Sequence, residues 1–154
     1  MAATVAVGAF KTMSPTLGMD VSIPGEDVRV ELGNRARSNE NFMCKDAALA
    51  MFQYLESIQH QRYFAEIWFL GPTGKGIYGA EFIHVATISG GVFDPGTVIS
   101  MTGWHVGVLF GGSIFCNVHP GGLPSNLWFA DFTGPGERLT KIHPGPYPIG
   151  PPLP

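Results

Sequence analysis

The chain has 154 residues, of which 45% are apolar and 14% charged, and its formal net charge is −3. This composition predicts one globular domain with a hydrophobic core and excludes an extended disordered chain. The nine lysines and arginines are scattered and form no patch with aromatic residues, so we expect no nucleic-acid partner. No apolar run reaches the roughly 18 residues of a membrane helix, and residues 1–10 lack the basic region and cleavage site of a signal peptide.

Residues 1–36 are predicted to form an N-terminal arm and a strand. Periodicity is weak in the first part of this segment. After the Pro24-Gly25 turn, Val28, Val30 and Leu32 alternate with charged residues, which is typical of a half-exposed strand.

The stretch NFMCKDAALAMFQYLESIQHQ at 41–61 predicts an amphipathic helix. Its apolar residues recur with the spacing of one helical face. Cys44 lies in the first turn on that face, and Asn39 or Asn41 is placed to cap the start of the helix. The apolar face consists of Cys44, Ala47, Ala48, Met51, Leu55 and Ile58.

Several strands are predicted after the helix. The sequence RYFAEIWFLG at 62–71 predicts a strand, and the sequences at 82–96 and 103–122 each predict a hairpin around a Gly-Gly turn. Residues 125–134 predict a short helical turn or a last strand.

The order of elements indicates an α+β fold, in which one helix packs on antiparallel strands. Residues 37–134 would form the core domain. Residues 135–154 are rich in proline and glycine, and we expect a tail that is unable to build a core.

Cys44 is the candidate nucleophile because of its place at the start of the helix. The free N–H groups and the dipole of a first helical turn stabilise a thiolate and lower its pKa. A nearby imidazole then accepts the thiol proton, and a third polar residue orients that imidazole. The Cys44 N–H and a side chain upstream would form the oxyanion hole, for which Asn41, Asn39 and Ser38 are available.

The sequence predicts neither a metal site nor a cofactor. Cys44 and Cys116 lack paired-cysteine spacing, and the histidines lack the helical spacing of zinc ligands. The glycine-rich loop at 71–76 lacks the GK[ST] ending of a phosphate-binding loop.

The hairpin at 103–122 contains the candidate base His105. A two-residue Gly111-Gly112 turn directs the side chain of Asn117 to the face opposite His105. A three-residue turn that includes Ser113 puts both side chains on one face. An orienting role for Asn117 therefore requires the three-residue turn or a bulge.

The segment from Trp104 to Trp128, together with a cysteine that opens a helix, resembles the papain-fold toxin domains of bacterial polymorphic toxins. In these domains an HVGV strand is followed by a short turn, an aromatic-Asp-Asn step, an HP.G(I/L) sequence and a tryptophan. The HVGV strand also resembles that of the NlpC/P60 peptidoglycan hydrolases. The resemblance to the papain-fold toxin domains extends over about residues 40–130. The matching segments here are His105-Val-Gly-Val, Phe115-Cys116-Asn117, His119-Pro120, Gly122-Leu123 and Trp128.

The resemblance implies a papain-like fold, with the cysteine-bearing helix packed on a small antiparallel sheet. It also implies that Cys44 and His105 act together with an orienting residue. Cys116 stands where the family carries an aspartate, so another residue must orient the imidazole. The candidates for that role are Asn117 first, and then Asp131 or Asp94.

A second set of residues stays open as the catalytic site. His84 precedes Asp94 by ten residues in FIHVATISGGVFDP, which resembles the pattern of transglutaminase-like and acetyltransferase-like relatives of papain. The base is therefore either His105 or His84. Trp104, which directly precedes His105, and His119, on the returning segment of the hairpin, are predicted to line the substrate rim.

The resemblance implies a bacterial toxin or effector that acts on a protein of a target cell. A thiol amidohydrolase would deamidate glutamine or asparagine or cleave a peptide bond, and transfer to an amine uses the same site. Open alternatives are a non-catalytic binding or adaptor module on this scaffold and a peptidoglycan amidase or endopeptidase. A cognate immunity protein or a secretion adaptor would be a further partner, and a specialised secretion system would deliver the chain to the target-cell cytosol.

Overall fold

The computed structural model describes residues 25–70, 84–85, 91–100, 102–134, 137–146 and 148, and of residues 70, 84 and 85 only the backbone. The chain divides into two units, residues 1–30 and 31–154. Within the described ranges, no helix is both long and apolar enough to cross a bilayer. The helices are α1 (Glu26–Arg37), α2 (Cys44–Ser57) and α3 (Ser125–Ala130). The strands are β1 (Tyr63–Leu70), β2 (His84–Val85), β3 (Trp104–Phe110), β4 (Ser113–Phe115), β5 (Leu123–Pro124), β6 (Phe132–Thr133) and β7 (Glu137–His143).

Helix α1 replaces the strand that the sequence predicts before residue 36. Acidic residues occupy its first turn and basic residues its last turn, so the charges complement the helix dipole. Its buried residues Leu32, Gly33 and Ala36 share one helical face. The strand prediction is wrong because this helical spacing, rather than the alternation at Val28 and Val30, matches the buried side.

Helix α2 is the amphipathic helix that the sequence predicts, and Cys44 is its first residue. Met43 is the N-cap and makes no capping bond through its side chain, so neither candidate asparagine caps the helix. Asn39 donates from Nδ2 to the carbonyl of Arg35 instead, at 2.9 Å. The buried residues of α2 are Cys44, Ala47, Ala48, Met51, Phe52 and Leu55.

Five of the strands form one antiparallel sheet in the order β5-β4-β3-β1-β7, and β2 pairs with β6. The strand β1 and the hairpin β3–β4 match their predictions. The other predicted hairpin is described only in part. There β2 is a strand, residues 86–90 lie outside the described residues, and residues 91–97 form bends and turns. Residues 125–134 contain both predicted alternatives, since α3 is followed by β6.

Strand β7 lies in the segment that was expected to be a tail. It pairs with β1 over its whole length, from Phe64 opposite His143 to Leu70 opposite Glu137. Only His143 of this strand is buried. The prediction is wrong for Glu137–His143 because backbone pairing with β1, and not burial of its own side chains, holds the strand in place.

The two faces of the five-stranded sheet carry different layers. On one face lies α2, whose Phe52 ring stacks on Phe64 of β1 with 4.1 Å between centroids. On the other face the ring of His105 packs 5.7 Å from Trp128 and 4.7 Å from Phe132, between ring centroids. Trp128 and Phe132 belong to the hydrophobic cluster around α3. Together these layers form the α+β, papain-like arrangement that the sequence predicts.

Candidate active site

Cys44 is the first residue of α2 and lies beside a small cleft with a volume of about 270 Å³. Cys44 is 6% exposed. The segment opposite the helix is held by Ser100, whose Oγ accepts the N–H groups of Thr102 and Trp104, both at 3.2 Å. We call the cleft beside Cys44 the Cys44 cleft. Its other lining residues are Phe42, Lys45, Ile99, Ser100, Thr102 and Trp104.

Opposing effects act on the Cys44 thiol. The N–H groups of Val106, Lys45 and Cys44 itself hydrogen-bond the sulfur and lower its pKa, in the direction that a helix start predicts. Burial, with a smaller contribution from Cys116, outweighs them and raises the pKa from 9.0 to about 12. The expectation of an acidic thiol is therefore wrong for this state, and Cys44 carries its proton at neutral pH.

His105 lies in β3 directly before Val106, the residue whose N–H faces the Cys44 sulfur. Its side chain is fully buried, and neither ring nitrogen has a hydrogen-bond partner among the residues that the structure describes. Burial, and then the charge of His119, lower its pKa from 6.5 to about 3. The imidazole is thus neutral, and its ring lies in the layer of Trp128 and Phe132.

Asn117, the residue predicted to orient His105, makes no hydrogen bond to that imidazole in the described structure. Phe110 pairs with Ser113, so the turn has two residues, and Gly111 and Gly112 take the positive φ values of 59° and 80° that such a turn requires. Asn117 is buried and donates from Nδ2 to the carbonyl of Glu40 at 2.9 Å, while its Oδ1 has no partner among the described residues. The three-residue turn is therefore wrong, and Asn117 holds the chain before Cys44 instead.

Asn41, the candidate for the oxyanion hole, also holds this chain. It donates from Nδ2 to the carbonyl of Val98 at 2.8 Å, and its Oδ1 accepts the N–H of Phe42 at 3.0 Å. Phe42 has a φ of 70°, which is unusual for a bulky residue. The structure thus gives Asn41 a role in shaping the loop at residues 40–43, and both of its hydrogen bonds are made to backbone groups.

His119 and Asp131 form a buried pair on the His105 side of the sheet. Nε2 of His119 donates to Oδ2 of Asp131 at 2.5 Å, and these residues are 2% and 0% exposed. The N–H of His119 and Nε1 of Trp128 both donate to the sulfur of Cys116 at 3.3 Å, and burial raises the pKa of that thiol to about 11. The prediction of His119 as a rim residue is wrong because it lies inside this cluster.

The side chain of the alternative base His84 lies outside the described part of the structure, and its backbone pairs with Thr133. Asp94 is exposed, and its carbonyl accepts the N–H and hydroxyl of Thr97 at 3.1 and 2.6 Å. Asp131, the other alternative acid, is bound to His119. In the described part of the chain, no three histidine, cysteine or acidic side chains gather as metal ligands.

Glu66 and His143 form a buried pair that the sequence analysis misses. Nε2 of His143 donates to the carboxylate of Glu66, which also accepts Nε1 of Trp104 at 2.7 Å. The N–H of Gly145 donates to Nδ1 of His143 at 3.2 Å. Trp104 is thereby fixed in the wall of the Cys44 cleft, and its contact with a substrate stays a prediction. The signal in the sequence was the single charged residue, Glu66, in the apolar stretch YFAEIWFL.

One comparison with known proteins finds a match. A family model described as papain fold toxin 2 matches residues 27–133, which is more than half of the chain. No curated protein and no solved structure matches significantly.

Proposed function

Because this chain belongs to the papain fold toxin 2 family, we propose that it is a thiol amidohydrolase whose Cys44 attacks a carboxamide or peptide carbonyl of a protein in a target cell. The family indicates a toxin with a cysteine-hydrolase type of site. One observation carries the proposal beyond the family. Cys44 begins a helix and borders a cleft. Its sulfur accepts a hydrogen bond from the N–H of Val106, the residue that follows His105.

The reaction begins from a neutral thiol and a neutral imidazole. Nδ1 or Nε2 of His105 accepts the thiol proton as the sulfur bonds to the carbonyl carbon, and the imidazolium then protonates the departing ammonia or amine. Water hydrolyses the thioester, gives its proton to the same imidazole, and regenerates the thiol. In the described state the His105 ring lies among Trp128 and Phe132, on the sheet face opposite α2, so the proposed transfer requires β3 to rearrange and present the ring to Cys44.

The proposed test uses proteins of a bacterial lysate as substrate. Purified domain is added, and released ammonia, glutamine-to-glutamate conversion and new peptide N-termini are quantified by mass spectrometry. We expect Cys44→Ala and His105→Ala to abolish the activity, and Cys116→Ala to retain it. Ammonia with converted glutamine identifies a deamidase, and new N-termini identify a protease. Equal product from the wild type and Cys44→Ala would contradict the proposal.

A second candidate function is a non-catalytic binding module on the same fold. It is favoured by one observation, the absence of a hydrogen-bond partner for the His105 ring among the described residues. In the same assay this function predicts no Cys44-dependent product, and it predicts a stable complex with a protein partner that survives the Cys44→Ala substitution. A cognate immunity protein is the partner that we propose in either case, with delivery by a specialised secretion system.

A further inference from the structure

The loop directly before the nucleophile, residues 40–43, exposes two large apolar side chains. Phe42 is 52% exposed and Met43 is 41% exposed. Phe42 also lines the Cys44 cleft together with Ile99 and Trp104. An exposed aromatic residue at the mouth of a cleft offers apolar surface to whatever enters it.

The conformation of Phe42 is held by its surroundings at a cost to the backbone. Its φ of 70° lies in the left-handed region, which disfavours a bulky side chain. The side chain of Asn41 binds both the N–H of Phe42 and the carbonyl of Val98, and Asn117 binds the carbonyl of Glu40. Such strain persists where the neighbouring structure enforces it, and it is concentrated at ligand-binding positions.

We propose that Phe42 is a specificity residue, which receives an apolar side chain of the protein substrate next to the carboxamide or peptide group that Cys44 attacks. The inference rests on the proposed function, since it assigns the occupant of the same cleft. The occupant is apolar because Phe42, Ile99 and Trp104 present ring and aliphatic surface beside the sulfur. Nε1 of Trp104 is already bound to Glu66, so its ring offers the occupant apolar contact alone.

The test uses two alkylating reagents that differ in an apolar arm, iodoacetamide and N-benzyliodoacetamide. The alkylation rates of Cys44 by the two reagents are measured at one alkaline pH by peptide mass spectrometry. The ratio of the benzyl-reagent rate to the iodoacetamide rate in the folded protein is then divided by the same ratio in urea-denatured protein. We expect the folded wild type to prefer the benzyl reagent by about fivefold or more. Phe42→Ala should bring the ratio of the two alkylation rates to the value found in the denatured protein.

Leu139→Ala provides the matched control, because Leu139 is 43% exposed but lies in β7 and does not line the cleft. It should keep the full benzyl preference. Phe42→Gly tests the strain separately. Its thermal midpoint should exceed that of Phe42→Ala, because glycine adopts a φ of 70° freely, whereas at ordinary positions the alanine variant is the more stable one.

The possible outcomes separate the inference from the proposed function. If the wild type and Phe42→Ala show the same benzyl preference while Cys44 reacts, the specificity role is wrong and the thiol site stands. If neither reagent reaches Cys44 in the folded protein, both proposals are overturned. A glycine variant that melts below the alanine variant would remove the argument from strain.

Discussion

At the scale of single residues, burial dominates the chemistry of this site. The N–H groups at the start of α2 and after His105 stabilise a thiolate at Cys44, but the loss of solvent outweighs them. The same loss keeps His105 uncharged. Because the thiol and the imidazole both rest neutral, the proposed reaction transfers the proton only as the new bond forms, and burial protects Cys44 from reagents in solution.

This protection is measurable in the pH profile of alkylation. With a pKa of about 12 in place of 9.0, the thiolate fraction of Cys44 at pH 8 is lower by about a thousandfold. We expect iodoacetamide to modify Cys44 about a thousandfold more slowly in the folded protein than in the urea-denatured protein. The rate in the folded protein should rise up to the highest pH at which the fold persists. The measurement is quantitative peptide mass spectrometry between pH 7 and the onset of unfolding.

Cys116 serves as the internal comparison for this profile. Its pKa is raised to about 11, but it is fully buried and does not line the Cys44 cleft. It should react only on unfolding, and so more slowly than Cys44. A folded rate at Cys44 that levels off below pH 8 would show a stabilised thiolate and would contradict the dominance of burial.

At the scale of elements, the close approach of β3 to its neighbours depends on a residue without a side chain. A Cβ at Gly107 would lie 2.7 Å from the carbonyl oxygen of Phe115 and 2.8 Å from Cγ2 of Ile114. The first of these contacts is with backbone and is not relieved by a rotamer change. Gly107 therefore sets the spacing of the hairpin that carries His105.

We predict that Gly107→Ala destabilises the domain by about 1 to 3 kcal/mol, the usual cost of overpacking a core. The free energy of unfolding in urea measures the change. Gly121→Ala is the control, because a Cβ there meets no atom within 4 Å. Equal stability of the two variants would mean that the strands shift apart at no cost, and the close contact would have no structural weight.

The elements also differ in how well their sequences predicted them. Helix α2 buries one face, so its periodicity was visible, and β1 is an apolar run interrupted by Glu66 alone. Strand β7 exposes both faces as far as Ile142, and only its partner β1 makes it a strand. Helix α1 was missed because alternation at Val28 and Val30 competes with the spacing of its buried residues.

The candidate site was predictable in its parts and not in its arrangement. The position of Cys44 at a helix start follows from local sequence. The register of the β3–β4 hairpin depends on Gly111 and Gly112, and their two positive φ values match a two-residue turn. The pairs of His119 with Asp131 and of His143 with Glu66 join residues 12 and 77 positions apart, which local patterns do not reveal.

At the scale of the whole molecule, an unpaired histidine in the core couples folding to pH. The folded pKa of His105 is about 3 and the unfolded value is 6.5, so below pH 6.5 the unfolded chain binds a proton that the folded chain does not. The stability from this group is fully present above pH 6.5. It declines as the pH falls from 6.5 to about 3, and by pH 4 the loss is on the order of 3 kcal/mol.

We therefore predict that the wild type unfolds at lower urea concentrations at pH 4 than at pH 7, and that His105→Phe removes about 3 kcal/mol of this difference. Phenylalanine keeps a flat ring against Trp128 and Phe132 and cannot take up a proton. An unaltered pH dependence in His105→Phe would mean that the imidazole finds a partner or solvent in the folded protein. An imidazole that leaves the layer of Trp128 and Phe132 would meet either condition, so the experiment also measures how firmly the core retains the proposed base.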